Sequence, residues 1–125
     1  MSEIKSVGVI GAGQMGNGIA HVAALAGYQV SLHDVSRDRI ESGLATITGN
    51  MARQVSAGRI EDSERKAAVE RITVAENLDD LSDLDLVIEA ATENEQVKRK
   101  IYAQVCPLLK PEAVLATNTS SLSIT

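Results

Sequence analysis

The stretch that decides the fold is Val7-Gly8-Val9-Ile10-Gly11-Ala12-Gly13-Gln14-Met15-Gly16, near the amino terminus. An apolar segment, typical of a parallel strand covered on both faces, leads directly into a G-x-G-x-x-G turn. The first glycine allows a tight bend, the second lets a pyrophosphate approach the backbone, and the third lets the next helix pack on the strand. That helix would direct unpaired N–H groups at the phosphates. We therefore predict a dinucleotide-binding turn over residues 11–16.

An acidic residue, Asp34, follows at the distance where dinucleotide-binding units place a ligand for the adenosine ribose. Its carboxylate can accept hydrogen bonds from both ribose hydroxyls, and its charge would repel a 2′-phosphate, which favours NAD over NADP. Because of Arg37, NADP stays an alternative cofactor, since a nearby arginine can accommodate that phosphate. A simple turn at Asp34 is the structural alternative, which the motif upstream makes the weaker interpretation.

Composition excludes several classes of function. The chain has 125 residues, enough for one core, and its net charge of −5 argues against a nucleic-acid partner. With 2% aromatic residues it also lacks stacking platforms for single strands. No apolar run could span a membrane, and the amino terminus runs almost directly into the first strand, so we expect no signal peptide and a cytoplasmic location.

The metal-ligating and nucleophilic residue types are sparse. His21 and His33 stand alone, without ligand spacing around them, so no metal site is predicted. Cys106 is the only cysteine, and its apolar helical surroundings favour a buried, inert thiol over a nucleophile.

Strands and helices alternate along the chain. We predict strands at 4–10, 29–33, 72–75, 85–90 and 113–117, and helices at 14–26, 37–57, 62–71 and 94–109. Ser36 is the expected N-cap of the second helix, and Asp62 or Ser63 that of the third. This alternation indicates an α/β fold, a Rossmann-type doubly wound parallel sheet, with residues 1–125 as one domain. We expect that domain to be incomplete at its carboxyl end, with an uncovered edge after residue 117 that favours self-association.

Polar residues follow the fourth and fifth predicted strands, where ligands of open parallel sheets bind. They are Glu93 after the fourth strand and Asn118 and Ser120 after the fifth. Each has a structural alternative: Glu93 can complement a helix dipole, and Asn118 and Ser120 can be turn residues. Lys98, one turn into the next helix, can be a solvated surface charge. The residue types alone leave these alternatives open.

The chain nevertheless resembles the NAD-binding part of the 3-hydroxyacyl-CoA dehydrogenase family, with the bacterial 3-hydroxybutyryl-CoA type as the closest match. The resemblance covers essentially the whole chain. Three segments carry it: 10–16, the run Asp85-Leu86-Val87-Ile88-Glu89-Ala90 leading to Glu93-Asn94, and Asn118-Thr119-Ser120-Ser121-Leu122-Ser123-Ile124-Thr125. The last is the most specific to this family.

The resemblance implies a reversible, NAD-dependent oxidation of a (3S)-3-hydroxyacyl-CoA in fatty-acid or butanoate metabolism. It places the glycine turn around the pyrophosphate and Asp34 on the adenosine ribose. Glu93, Lys98 and Asn118 would line the nicotinamide half of the cofactor. Ser120 matches the family's active-site serine, which donates a hydrogen bond to the substrate. Asn50 and Arg53 match the helices that meet CoA, although a solvated helix face explains these two equally well.

The family's catalytic histidine and its glutamate partner lie downstream of the Asn-Thr-Ser-Ser segment, and neither His21 nor His33 matches that position. The helical domain that closes the substrate cleft is also absent from these residues. We therefore expect weak or no NADH binding and no useful turnover from the 125 residues alone. A non-catalytic NAD(H)-binding or structural module related to lambda-crystallin is the main alternative. A dehydrogenase of hydroxy acids without CoA is another, which the Asn-Thr-Ser-Ser-Leu run disfavours.

Overall fold

The computed structural model describes residues 4–90, 95–111 and 113–117, in which strands and helices alternate as predicted. The strands are β1 (Ser6–Ile10), β2 (Gln29–His33), β3 (Ile72–Val74), β4 (Leu86–Glu89) and β5 (Val114–Thr117). The helices are α1 (Gln14–Leu25), α2 (Arg37–Ser56), α3 (Asp62–Arg71) and α4 (Glu95–Val105). Two short 3₁₀ helices, Leu78–Leu81 and Cys106–Leu108, were not predicted from the sequence.

The five strands form one parallel sheet in the order β3-β2-β1-β4-β5. The strand order reverses between β1 and β4, which makes the crevice between these two strands the switch point where such sheets bind ligands. At the carboxyl edge, Ile10 of β1 lies opposite His33 of β2 on one side and Glu89 of β4 on the other. The predicted Rossmann-type sheet is therefore confirmed.

Two apolar clusters cover the two faces of the sheet. On one face, α1, α2 and α3 pack on alternate residues of β1 and β2, such as Val9 and Leu32. On the other face, Val105 of α4 and the first 3₁₀ helix pack on Ile10 and Val87. Strand residues on both faces are buried, which is why these strands are nearly continuously apolar.

The end of α4 and the exposure of Cys106 differ from the expectations. Helix α4 ends at Val105 instead of 109, because Pro107 has no N–H and its ring blocks a regular α-helical turn, so the chain continues as a 3₁₀ helix. The prediction of a buried Cys106 was wrong: its thiol is exposed, because the residue follows buried Val105 and faces away from the sheet.

The helix caps are partly as expected. Ser36 caps α2 as predicted, with its Oγ accepting a hydrogen bond from the N–H of Arg39 at 3.3 Å. For α3, the prediction of Asp62 or Ser63 was wrong, because Glu61 is the N-cap. The N–H of Glu61 donates to Oε1 of Glu64 at 3.2 Å, so the Glu64 carboxylate gives the N-cap N–H group a hydrogen-bond acceptor.

The glycine turn between β1 and α1 has the tight geometry that the motif requires. Gly11 has a φ of 108°, a conformation that other residues rarely adopt. A Cβ atom on residue 16 would lie 1.6 Å from the carbonyl oxygen of Gly11, so no side chain can be accommodated there. The predicted close packing of Gly16 is confirmed, and it sets the direction in which α1 leaves the turn.

At the opposite, amino-terminal edge of the sheet, Asp85 joins the starts of β1 and β4. Its Oδ2 accepts hydrogen bonds from the N–H groups of Lys5 and Ser6 at 2.8 and 3.1 Å, and its Oδ1 pairs with Nζ of Lys110. The hydrogen bond from Lys110, followed by that from the Lys5 N–H, holds the pKa of Asp85 well below its usual value. Ionised Asp85 therefore connects strands that are distant in sequence.

The close approach at Gly16 predicts a strong and local effect of a single methyl group. We expect Gly16→Ala to destabilise the protein by about 1–3 kcal/mol or more, because the methyl group collides with backbone that cannot move freely. Gly18→Ala is the matched control on the same helix, where an added Cβ meets nothing within 4 Å. It should instead stabilise α1 by roughly 0.5–1 kcal/mol. Urea unfolding measures both, and equal stabilities of the two variants would contradict this packing.

The Asp85 contacts predict a pH-dependent difference in stability. The pKa of Asp85 is lower in the folded state than in the unfolded state, where it is about 3.8. The carboxylate therefore contributes its full stability above about pH 3.8, and this contribution is lost as the pH falls towards the folded-state pKa. Asp85→Asn should therefore have a lower melting temperature than the wild type at pH 7. The difference between the two melting temperatures should narrow when melting is measured below about pH 3.8. A gap that stays constant down to pH 2.5 would show that the ionised form is not what stabilises the fold.

Candidate functional site

Asp34 lies directly after β2 and is tied to the glycine turn. Its Oδ2 accepts a hydrogen bond from the N–H of Ala12 at 2.9 Å, and its Oδ1 accepts one from the N–H of Ser36 at 3.0 Å. The residue is only 8% exposed. A carboxylate offers about four acceptor positions, so these two bonds orient the group and leave acceptor capacity for a ligand. The predicted ribose ligand is thus held rigidly beside the predicted phosphate turn.

A cavity of about 310 Å³ opens in front of Asp34, between the carboxyl ends of β1 and β2 and the outer turns of α4. Its lining combines the Asp34 carboxylate with apolar side chains that suit the flat face of a purine. The lining residues are Ile10, Gly11, His33, Asp34, Val35, Arg39, Leu78, Val97, Ile101 and Gln104. The combination of a buried acceptor and an apolar wall matches an adenosine moiety.

The apolar wall of this cavity was missed by the sequence reasoning. Val97 and Ile101 are one helical turn apart on α4, so their spacing signals a shared face, but nothing local shows that this face lies opposite Asp34. Leu78 belongs to a 3₁₀ helix that carries no strong periodicity. Only the packing of the sheet brings these segments together.

A second groove, of about 590 Å³, lies between the amino-terminal ends of α1 and α2. A Cβ atom on Gly13 would meet nothing within 4 Å, and no side-chain hydrogen bond caps the start of α1 at this residue. The first N–H groups of α1 lack helical acceptors and are available to an anion. Gln14 lines the groove, whereas Met15 is 56% exposed on the outer side of α1. These features fit the pyrophosphate of a dinucleotide.

Arg37, the residue that left NADP as an alternative cofactor, pairs with two carboxylates. Its guanidinium contacts Glu76 and lies 3.6 Å from Oε1 of Glu41, and the hydrogen bond to Glu76 raises the pKa of Arg37 further. A 2′-phosphate would have to compete with both carboxylates as well as with Asp34. Arg39, rather than Arg37, lines the cavity in front of Asp34. Arg37 is therefore already engaged with two carboxylates, which weakens the argument for NADP that rested on this residue.

Lys98 is not the solvated surface charge that its position on a helix allowed. It is 1% exposed in the first turn of α4, and its Nζ lies 3.0 Å from Oε1 of Glu89, which is fully buried at the end of β4. The structure thus places Lys98 at the predicted strand end. Glu89 was not selected from the sequence, although a charged residue within an apolar strand was an available signal.

Both histidines have partners elsewhere in the fold. Nε2 of His21 lies 2.7 Å from Oε1 of Gln54, which joins α1 to α2. Nδ1 of His33 lies 2.8 Å from the carbonyl oxygen of Ala75, so this ring connects the ends of β2 and β3. These contacts give both histidines a structural role within the fold.

The other predicted site residues fall into two groups. Asn50 and Arg53 lie together on α2, with the Arg53 guanidinium donating to Oδ1 of Asn50 at 2.5 Å, away from the cavity in front of Asp34. Their contact with CoA stays a prediction. Glu93, Asn118 and Ser120 lie outside the described residues. The described strands β4 and β5 end at Glu89 and Thr117, just before these positions.

None of the described helices is long and apolar enough to cross a membrane. Among the residues that the structure describes, no group of three or more His, Cys, Asp or Glu side chains is arranged to hold a metal ion.

Comparison with known proteins agrees with this geometry. The 3-hydroxybutyryl-CoA dehydrogenase of Bradyrhizobium diazoefficiens is 64% identical over 122 residues, which cover 98% of this chain and 42% of that protein. The enzyme of the same name from Mycobacterium tuberculosis is 46% identical and 43% covered. The chain therefore spans less than half the length of these relatives.

The fold is shared with solved structures of the same class. The crystal structure of (S)-3-hydroxybutyryl-CoA dehydrogenase PaaH1 from Ralstonia eutropha superposes with a TM-score of 0.94 at 39% identity, covering 98% of this chain and 44% of that one. The sequence model of the family described as "3-hydroxyacyl-CoA dehydrogenase, NAD binding domain" matches residues 6–125. This chain belongs to the 3-hydroxyacyl-CoA dehydrogenase family, and its residues 6–125 match the NAD-binding domain of that family.

Proposed function

We propose that this chain is the cofactor-binding part of an enzyme that transfers a hydride between a (3S)-3-hydroxyacyl-CoA and NAD, in fatty-acid or butanoate metabolism in the cytoplasm. The observation that carries the proposal is the buried Asp34 carboxylate, hydrogen-bonded to Ala12 of the glycine turn and facing an apolar cavity. Similarity to 3-hydroxybutyryl-CoA dehydrogenases over 98% of the chain supports the substrate class.

The residues of this chain bind and orient the cofactor. Asp34 holds the adenosine ribose in the cavity between β2 and α4, and the N–H groups at the start of α1 hold the pyrophosphate. The nicotinamide half then extends over the ends of β4 and β5, where Glu93, Lys98 and Asn118 contact it. When bound, NAD accepts the hydride from C3 of the substrate.

Ser120 donates a hydrogen bond to the oxygen on C3, and Asn50 and Arg53 contact CoA. The acid–base pair would come from the helical domain of the family, because a general base must reach the hydroxyl proton and both histidines of this chain are engaged in the fold. On this proposal, the 125 residues form one domain that needs that second domain for turnover. Self-association is proposed through β5, which within the described residues pairs only with β4 and whose Val114 is 50% exposed.

The role of Asp34 is tested in the intact protein, by which we mean these residues joined to the helical domain of the family. The assay follows acetoacetyl-CoA reduction with NADH and with NADPH. Asp34→Asn should raise the KM for NADH about 10–100-fold, the effect of losing hydrogen bonds to a charged acceptor. The preference for NADH over NADPH should fall, because the charge that repels a 2′-phosphate is gone. Residues 1–125 alone should show no turnover.

Asp62→Asn is the matched control, because it removes the same charge from an exposed ion pair on α3. It should leave the KM for NADH and the preference for NADH over NADPH unchanged. A wild-type protein that binds NADH but does not reduce acetoacetyl-CoA would instead favour a non-catalytic module, and turnover by residues 1–125 alone would overturn the claim that the base lies elsewhere.

A further inference from the structure

A buried ion pair joins β4 to α4 beneath the carboxyl edge of the sheet. Nζ of Lys98 lies 3.0 Å from Oε1 of Glu89, and the two side chains are 1% and 0% exposed. They are among the largest fully buried side chains of the described fold. Their side of the sheet is otherwise packed with apolar residues such as Val87 and Val105. This pair therefore stands out as charge in an apolar layer.

The pair lies at the switch point of the sheet. Glu89 is opposite Ile10, the residue before Gly11, and opposite Thr117, the last residue of β5. The N–H of Ala90 donates to the carbonyl oxygen of Ile10 at 2.8 Å, so the end of β4 is fixed beside the glycine turn. Asp34 is on the other side of that turn, after β2. A dinucleotide that starts at Asp34 and crosses the turn therefore has its nicotinamide half on the side of Glu89 and Lys98.

Stability alone does not account for this pair. Removing two charges from water costs several kcal/mol per ion, and replacing a buried pair with apolar side chains is often neutral or stabilising. The neighbouring apolar side chains show that this layer could be packed without charge. A role in the adjoining site is the more economical explanation.

We propose that Glu89 is a positioning and charge-balancing residue for the nicotinamide. It fixes the ammonium group of Lys98 and cancels its charge, so that the site holds the cationic ring of NAD⁺ as well as the neutral ring of NADH. Without Glu89, the ammonium would oppose the oxidised ring and leave the reduced ring unaffected. This inference rests on the proposed function, because it requires the cofactor to lie across the switch point.

The test is calorimetric titration of the intact protein with NAD⁺ and, separately, with NADH. Glu89→Gln keeps the shape and a hydrogen-bond acceptor but removes the charge. The ratio of the Kd for NAD⁺ to the Kd for NADH should rise roughly fivefold, which corresponds to about 1 kcal/mol of repulsion between the uncompensated ammonium and the cationic ring in a partly solvated site. Glu89→Asp keeps the charge and should restore the wild-type ratio.

Asp85→Asn is the matched control. It removes the carboxylate of the residue just before β4, about 13 Å from Glu89 along the backbone, and it also breaks an ion pair with a lysine. The Kd ratio of this variant should equal that of the wild type, even where its melting temperature falls. The ratio therefore separates an effect on the nicotinamide from a general loss of stability.

The outcomes are distinguishable. If Glu89→Gln weakens both forms equally, the pair is only structural and the inference is overturned. Should that variant fail to fold, Lys98→Met makes the opposite change, because it removes the positive charge and leaves that of Glu89. The inference then requires the ratio of the Kd for NAD⁺ to the Kd for NADH to fall. If the wild type binds neither nucleotide, the proposed function fails and this inference fails with it.

Discussion

The contact on which the rest of the structure depends is the one between Gly16 and the carbonyl oxygen of Gly11. Because a Cβ on residue 16 would lie 1.6 Å from that oxygen, only glycine at this position lets α1 leave β1 in the observed direction. That direction points the first turn of α1 at the carboxyl edge of the sheet and leaves open space beside Gly13. The same turn presents the N–H of Ala12 to Asp34. One close backbone contact thus aligns a helix terminus, a carboxylate and a cavity.

The two edges of the sheet use acidic residues for different purposes. At the amino edge, Asp85 accepts backbone N–H groups and pairs with the partly exposed Lys110, which joins strands. At the carboxyl edge, Asp34 and Glu89 are buried and lie on either side of β1. A buried carboxylate needs compensating partners, and each has them: two N–H groups for Asp34 and an ammonium group for Glu89. Charge of the same sign therefore connects strands at one edge and lies beside the candidate ligand site at the other.

The sequence was informative where physical requirements are local. The glycine turn and the cap at Ser36 depend on a few neighbouring residues, and Asp34 follows from the spacing of a recurring motif. The structure has all three at the predicted points of the fold, whereas the ligand-binding roles of the turn and of Asp34 stay predictions. Contacts made by packing were harder to predict. The wall formed by Val97 and Ile101, the burial of Lys98 and the exposure of Cys106 depend on how α4 lies on the sheet, which no local pattern specifies. The buried Glu89 could have been noticed as a charge in an apolar strand, but its partner could not.

The central claim is that the start of α1 and Asp34 together hold NAD. It is tested most directly by nuclear magnetic resonance spectra of the backbone amides of the intact protein during titration with NADH. The largest chemical-shift changes should occur at Ala12, Gly13, Gln14 and Met15. They should extend to Ser36, whose N–H, like that of Ala12, donates to the Asp34 carboxylate. Saturating NADH that leaves these amides unmoved, or that shifts only the outer face of α1 around Val22, would contradict the account.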